Sequence, residues 1–244
     1  MNLGYLFYAI LIGIIPALLW LWVWLHEDTA HPEPKSMVAI SFVAGMFAAP
    51  LAVIGQQYAE LILPNAYFLF HSVMVPWYIV LWVIIEEVLK FGASFYALHS
   101  KVFDEPIDAM IYLITASLGF VAVENTLFGI KNFIDYGLKG FIEGGIFRII
   151  GPSLLHVIAS GIVGLSISLT FYANRKIRIF SIISGIIIAI IVHSFYNFYI
   201  ITKNPTLGVR AFISVWILAV ILAIWFEIVK RIRMKIPTKP VAPE

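Results

Sequence analysis

Long apolar runs separated by short polar breaks dominate this chain, and a helix needs about 20 such residues to cross a hydrocarbon core about 30 Å thick. Leu3 to Leu25 predicts a first span, Met37 to about Ile54 a second, and Val75 to Leu98 a third. Ile107 to Ile130, Ile149 to Tyr172, Ile177 to Ile201 and Val209 to Val229 continue the series. The pattern predicts an all-α polytopic transmembrane helical bundle of about seven spans. The first run has no basic stretch before it and no obvious small-residue cleavage site, so it is expected to stay as a span. Ala44, Gly45, Ala48 and Ala49 in the second would let a neighbouring helix approach closely.

Two stretches break the pattern. Gln56 to Ser72 is mixed in polarity and contains Pro64, which predicts a loop with a short re-entrant or interfacial helix. In Ile130 to Arg148, Ile130, Phe133, Ile134, Leu138, Phe141 and Ile142 recur at three- and four-residue spacing, with Lys131, Asn132, Asp135, Lys139 and Glu143 between them. That spacing predicts a helix lying on the outer membrane surface and controlling substrate access, although Gly137, Gly140, Gly144 and Gly145 count against it.

Composition sharpens the class. The 244 residues are 61% hydrophobic and 12% charged, against about 25% charged in a soluble domain. A single integral-membrane domain over 1–229 with a basic tail over 230–244 is expected. With no cysteine, disulfides and thiol catalysis are excluded. A net charge of +2, with the cations gathered at loops and tail, speaks for membrane orientation rather than a nucleic-acid partner. Seven spans would put Lys35, Lys101, Arg175, Lys176, Arg178, Lys230, Arg231, Arg233, Lys235 and Lys239 on one side. The other side would keep Lys131, Lys139, Arg148, Lys203 and Arg210, so a multi-pass cell-membrane protein with a cytoplasmic C-terminus and an external N-terminus is expected.

The chemistry lies where charge interrupts the apolar runs. Glu86, Glu87 and Lys90 sit within Trp82 to Phe91. An ionised side chain near the bilayer centre costs at least about 2.5–3.5 kcal/mol, so such residues line enclosed sites. The two glutamates point about 100° apart on a helix, with Lys90 in reach of either. Glu124-Asn125 adds a carboxylate in the fourth span, His156 lies in the fifth, and His193-x-x-x-Asn197 shares one face of the sixth. At about 1.5 Å per residue, Glu86, Glu87, Glu124, His156 and His193 all fall between the midplane and the outer surface.

Two mechanisms can use this set. Glu124, His156 and His193 could hold a zinc ion whose water is deprotonated by Glu86 or Glu87. Alternatively, a glutamate activates water directly while histidine and Asn197 stabilise the oxyanion. There is no His-Glu-x-x-His, so zinc is permitted rather than indicated. Both routes hydrolyse an amide within the membrane. A proton- or ion-coupled transporter also uses buried Glu, Lys and His, and a non-catalytic scaffold could use them to fasten helices.

Glu86-Glu87-Val88-Leu89-Lys90-Phe91, Phe120-x-x-x-Glu124-Asn125, His156 followed by Gly161 and Gly164, and His193-x-x-x-Asn197 resemble the ordered motifs of the PrsW family of intramembrane proteases. Phe103-Asp104-Glu105-Pro106-Ile107-Asp108 resembles the segment before that family's second motif. The family is similar in turn to the CAAX-processing endopeptidases and bacteriocin-processing proteins, and more distantly to the Aph subunit of γ-secretase. The resemblance implies a membrane endopeptidase cutting a single-span membrane protein, an anti-sigma factor in the best-known members. By position, Glu86 and Glu87 match the essential pair, Glu124 the second-motif acid and His193 the later histidine. His156 lacks the tryptophan-threonine context found in many members.

Overall fold

The computed structural model describes residues 3–26, 32–64, 66–70, 73–202 and 204–232; most of the basic tail lies outside them. Among these residues the chain forms seven helices and one β-hairpin. The order is α1 (Leu3–His26), α2 (Lys35–Ile62), β1 (Tyr67–Phe70), β2 (Val73–Pro76), α3 (Tyr78–Leu98), α4 (Asp108–Ile150), α5 (Pro152–Leu169), α6 (Arg175–Ile201) and α7 (Pro205–Val229). Helix starts follow local chemistry. Asn174 caps α6 by accepting from the Ile177 amide, and Asn204 caps α7 through Thr206 and Leu207.

Five stretches are long and apolar enough to cross a membrane: Gly4–His26, Lys35–Ile62, Asp108–Leu169, Arg175–Ile201 and Pro205–Val229. Helix α3 carries Glu86, Glu87 and Lys90 in its middle and stands outside that set. The polytopic all-α bundle expected from the apolar pattern is the fold observed.

The first part of α4 is the axis of the bundle. Every residue from 108 to 122 is buried, as expected for a helix apolar on all sides. Met110, Ile111, Ile114 and Leu118 pack with Leu154, Leu155 and Ile158 of α5, with Trp24 of α1, and with Val215, Leu222 and Phe226 of α7. Helix α2 crosses on the opposite side at two glycines. A Cβ at Gly45 would lie 1.9 Å from the Ala116 carbonyl oxygen, and one at Gly119 would lie 1.9 Å from that of Phe42. No side chain fits there, so the backbones touch directly. Gly119→Leu should therefore cost about 1–3 kcal/mol of stability by overpacking. Thermal unfolding in detergent checks this, with Gly92→Ala, where nothing lies within 4 Å of the added carbon, as the neutral control.

The structure corrects two expectations. Gln56 to Ser72 is not a loop with a re-entrant or interfacial helix: α2 runs on to Ile62, and the chain then forms the β1–β2 hairpin, pairing Tyr67 with Pro76 and Phe70 with Val73. Aromatic and β-branched residues suit a pleated, half-buried surface. Phe68 and Phe70 turn inward, with ring centroids 5.0 and 5.4 Å from that of Phe198 on α6.

Ile130 to Arg148, likewise, is not a separate surface helix. It is the end of α4 folding back on itself at Gly137, whose φ of 65° and ψ of −158° are open to glycine alone. In an unbroken helix residues 125 and 148 would stand about 35 Å apart. Here Arg148 Nε donates to Asn125 Oδ1 at 2.6 Å. The two limbs, 108–136 and 138–150, meet along a face of small residues. A Cβ at Gly140 would lie 2.4 Å from Tyr136 Cβ, and one at Gly144 2.1 Å from Asn132 Nδ2. Phe133 of the first limb packs edge-on against Phe141 of the second and stacks on Tyr5 of α1.

Candidate active site

The two neighbouring glutamates of α3 diverge as their helical offset requires. Glu87 turns into the bundle. Its Oε1 accepts from Lys90 Nζ at 2.6 Å and lies 2.7 Å from His193 Nδ1. A carboxylate oxygen only accepts, so His193 carries a proton on Nδ1 and turns Nε2 toward Glu86. Glu86 turns the other way, and Oε1 accepts from Gln56 Nε2 at 2.7 Å. Its Oε2 is buried with no hydrogen-bond partner among the described residues and lies 3.8 Å from His193 Nε2.

A second pair closes the cluster from the opposite wall. Lys90 Nζ also lies 3.0 Å from His156 Nδ1. An ammonium only donates, so His156 accepts at Nδ1 and carries its proton on Nε2, 3.1 Å from Glu124 Oε2. Lys90, with no exposed surface, thus bridges the Glu87–His193 and His156–Glu124 pairs. The imidazole of His156 stands 4.8 Å from that of His193, edge to face. Helices α3, α4, α5 and α6 therefore deliver Glu86, Glu87, Glu124, His156 and His193 to one place.

Asn197 does not hold the imidazole of His193; Glu87 does. Asn197 instead lines, one turn along α6, a cavity of about 400 Å³ that also receives Glu86, Glu124, His156 and His193. Three further residues belong here that the sequence reading left elsewhere. Gln56 stood in an expected loop, yet the longer α2 carries it to Glu86. The hydroxyl of Tyr196, in the cavity wall, is buried without a partner among the described residues. Arg148, counted as an outer-surface cation, is folded into the site, where Nη2 donates to Glu124 Oε2 at 2.5 Å. Its signal was the run of glycines, which permits the close fold-back.

The donor set fits a metal ion. Ligand atoms of Glu86, His156 and His193, all buried, lie within 4.8 Å of one another. Two histidines and a glutamate form a common catalytic zinc set. Glu86 Oε2 lacks a hydrogen-bond partner among the described residues, and Nε2 of His193 faces it. Glu87 behind His193 is the supporting carboxylate that metal-bound imidazoles ordinarily have. His156 would join by releasing Lys90 or Glu124. The set differs from the one expected from the sequence in having Glu86 in place of Glu124, which Arg148 and His156 already occupy.

A buried carboxylate–histidine centre at a cavity inside a polytopic helical bundle defines the class: a membrane protein with a hydrolytic type of site. Residues 33–225 match PrsW-protease, the PrsW family intramembrane metalloproteases, and the chain belongs to that family. It is 23% identical over 211 residues to Protease PrsW of Geobacillus kaustophilus (strain HTA426), covering 82% of each chain. It is 25% identical over 189 residues to Protease PrsW of Oceanobacillus iheyensis (strain DSM 14371), covering 76% of this chain and 80% of the relative. No solved structure matches. The protein is a hydrolase, an intramembrane peptidase acting on membrane-protein substrate in the bilayer. The transporter and scaffold readings give way to it.

Proposed function

We propose that the cavity bounded by Glu86 and His193 is where a peptide bond of a single-span membrane protein is hydrolysed. The observation that carries this reading is the buried Oε2 of Glu86, without a hydrogen-bond partner among the described residues, facing Nε2 of His193 at 3.8 Å. Glu86 is the general base. As the oxygen of a water molecule bonds to the scissile carbonyl carbon, the water's proton passes to Oε2; the C–N bond then breaks and the leaving amine takes a proton from Glu86. Gln56 fixes the other oxygen of Glu86, so the free one points into the cavity. Glu87 orients His193, and the His156–Glu124 pair forms the far wall. The Asn197 amide and the Tyr196 hydroxyl are donors in the cavity wall available to the oxyanion. A divalent ion held by His156 and His193 beside Glu86 would supply polarisation of the water and the carbonyl, leaving Glu86 Oε2 to take the proton.

The bundle over 1–229 works as a single domain, with N-terminus external and C-terminus cytoplasmic. Charge supports this orientation: with Arg148 drawn into the site, Lys131, Lys139, Lys203 and Arg210 remain on the outer side against the ten basic residues inside. The site then lies in the outer half of the membrane, and a membrane-anchored regulator of anti-sigma type is the substrate class the family motifs imply. Membrane proteomes of cells expressing wild type and Glu86→Gln test the reading. Fragments of single-span proteins, cut near their external side, are expected with wild type only; the same fragments in both strains would refute it.

A further inference from the structure

Arg148 reaches Glu124 through a chain of local causes. Gly137 permits the reversal, and Gly140 and Gly144 recur every four residues along the face that meets the first limb. Four residues further along that face stands Arg148. Its guanidinium is held at three points of the first limb: Nη2 donates to Glu124 at 2.5 Å, Nε donates to Asn125 Oδ1 at 2.6 Å, and Cζ lies 3.9 Å from the centre of the Phe128 ring. Asn125 hands the tether on, donating from Nδ2 to Ser153 Oγ of α5 at 2.9 Å. Such a planar fork fixes an orientation as well as supplying a charge.

Glu124 Oε2 is the shared atom, accepting from Arg148 on one side and facing His156 Nε2 at 3.1 Å on the other. Nothing else described holds this carboxylate. We infer that Arg148 is a positioning residue of the peptidase site, acting through Glu124 to hold His156 in place, and that the folded-back limb exists to deliver it. This rests on the reading of the Glu124–His156 pair as part of the active site. Lysine would keep the charge but replace the planar fork that meets Glu124 and Asn125 with a compact ammonium of no fixed orientation.

The test uses the full chain, comparing Arg148→Gln, Arg148→Lys, Glu124→Gln, the Arg148→Gln/Glu124→Gln double variant and Gly144→Val. One readout is the rate at which the wild-type-specific fragments appear in cells. The other is the His156 ring-nitrogen resonance of ¹⁵N-histidine-labelled protein in detergent, assigned by its loss in His156→Gln. Arg148→Gln should slow cleavage about 10–100-fold, as loss of a supporting partner does, and Arg148→Lys should recover part of the rate. Gly144→Val, which pushes the limb off Asn132, should act like Arg148→Gln. The His156 resonance should shift in all three, and the double variant should be no slower than Glu124→Gln alone.

A slow Glu124→Gln beside a wild-type Arg148→Gln rate, or a double variant slower than either single one, overturns the inference and leaves the active site as read. A wild-type rate in Glu124→Gln instead removes the pair from the site. An unmoved His156 resonance in Arg148→Gln overturns the inference whatever the rates show. Should Arg148→Gln not give a monodisperse folded peak, Arg148→Lys decides: a wild-type rate with an unmoved resonance refutes the role.

Discussion

Glu86→Gln is expected to lower peptide-bond cleavage by about 10²–10⁴-fold, the range that a general base contributes, while leaving the fold intact. The substitution keeps shape and volume, and the glutamine oxygen can still accept from Gln56 Nε2, now 2.7 Å from Glu86 Oε1. What is lost is the ability of the cavity-facing atom to take a proton. The change adds neither charge nor volume to a buried position, so no stability is expected to be lost with it. Turnover of purified protein against one of its own single-span substrates measures the effect, with thermal unfolding alongside. Turnover within a few-fold of wild type would remove Glu86 from the chemistry.

The second large effect concerns metal. Purified protein is expected to carry about one divalent ion per chain by elemental analysis, and His193→Ala to carry none. Glu87→Gln separates holding an ion from orienting its ligand. Glu87 lies behind His193 Nδ1 at 2.7 Å rather than in the cavity, so its loss should weaken ion binding about 10–100-fold without abolishing it. Metal content of Glu86→Gln then assigns the remaining role. An inactive protein that keeps its ion makes Glu86 the base alone, and one that loses it makes Glu86 a ligand as well. Active wild type free of metal would leave direct activation of water by Glu86.

Much of this was readable in the chain because the bilayer leaves few choices. Apolar runs of about twenty residues gave the helices, and charged groups too costly to face lipid gave the site. Glu86, Glu87, Glu124, His156 and His193 could be grouped by depth alone, since helix rise is fixed at about 1.5 Å per residue. Depth, however, says nothing of rotation about each helix. Whether Glu86 or Glu124 closes the two-histidine set, and whether Asn197 or Glu87 holds His193, depends on packing angles that spacing does not encode. One remaining misreading arises because periodicity describes a helix but not where it turns. The three- and four-residue repeat of Ile130 to Arg148 was real, but it continued α4 through a reversal rather than laying a helix on the surface. Gln56 was hidden because α2 outlasts its apolar run by two turns, and the hairpin because strands of four residues are too short to show alternation.

The reversal at Gly137 also fixes a register. Arg148 follows it by eleven residues, about three full turns at 3.6 residues each, so the guanidinium returns to the azimuth at which the limb leaves the turn. One residue inserted between them would rotate Arg148 by about 100° and move it about 1.5 Å along the axis, off Glu124, Asn125 and Phe128 together. The length of the second limb is thus as constrained as the identity of the residue at its end.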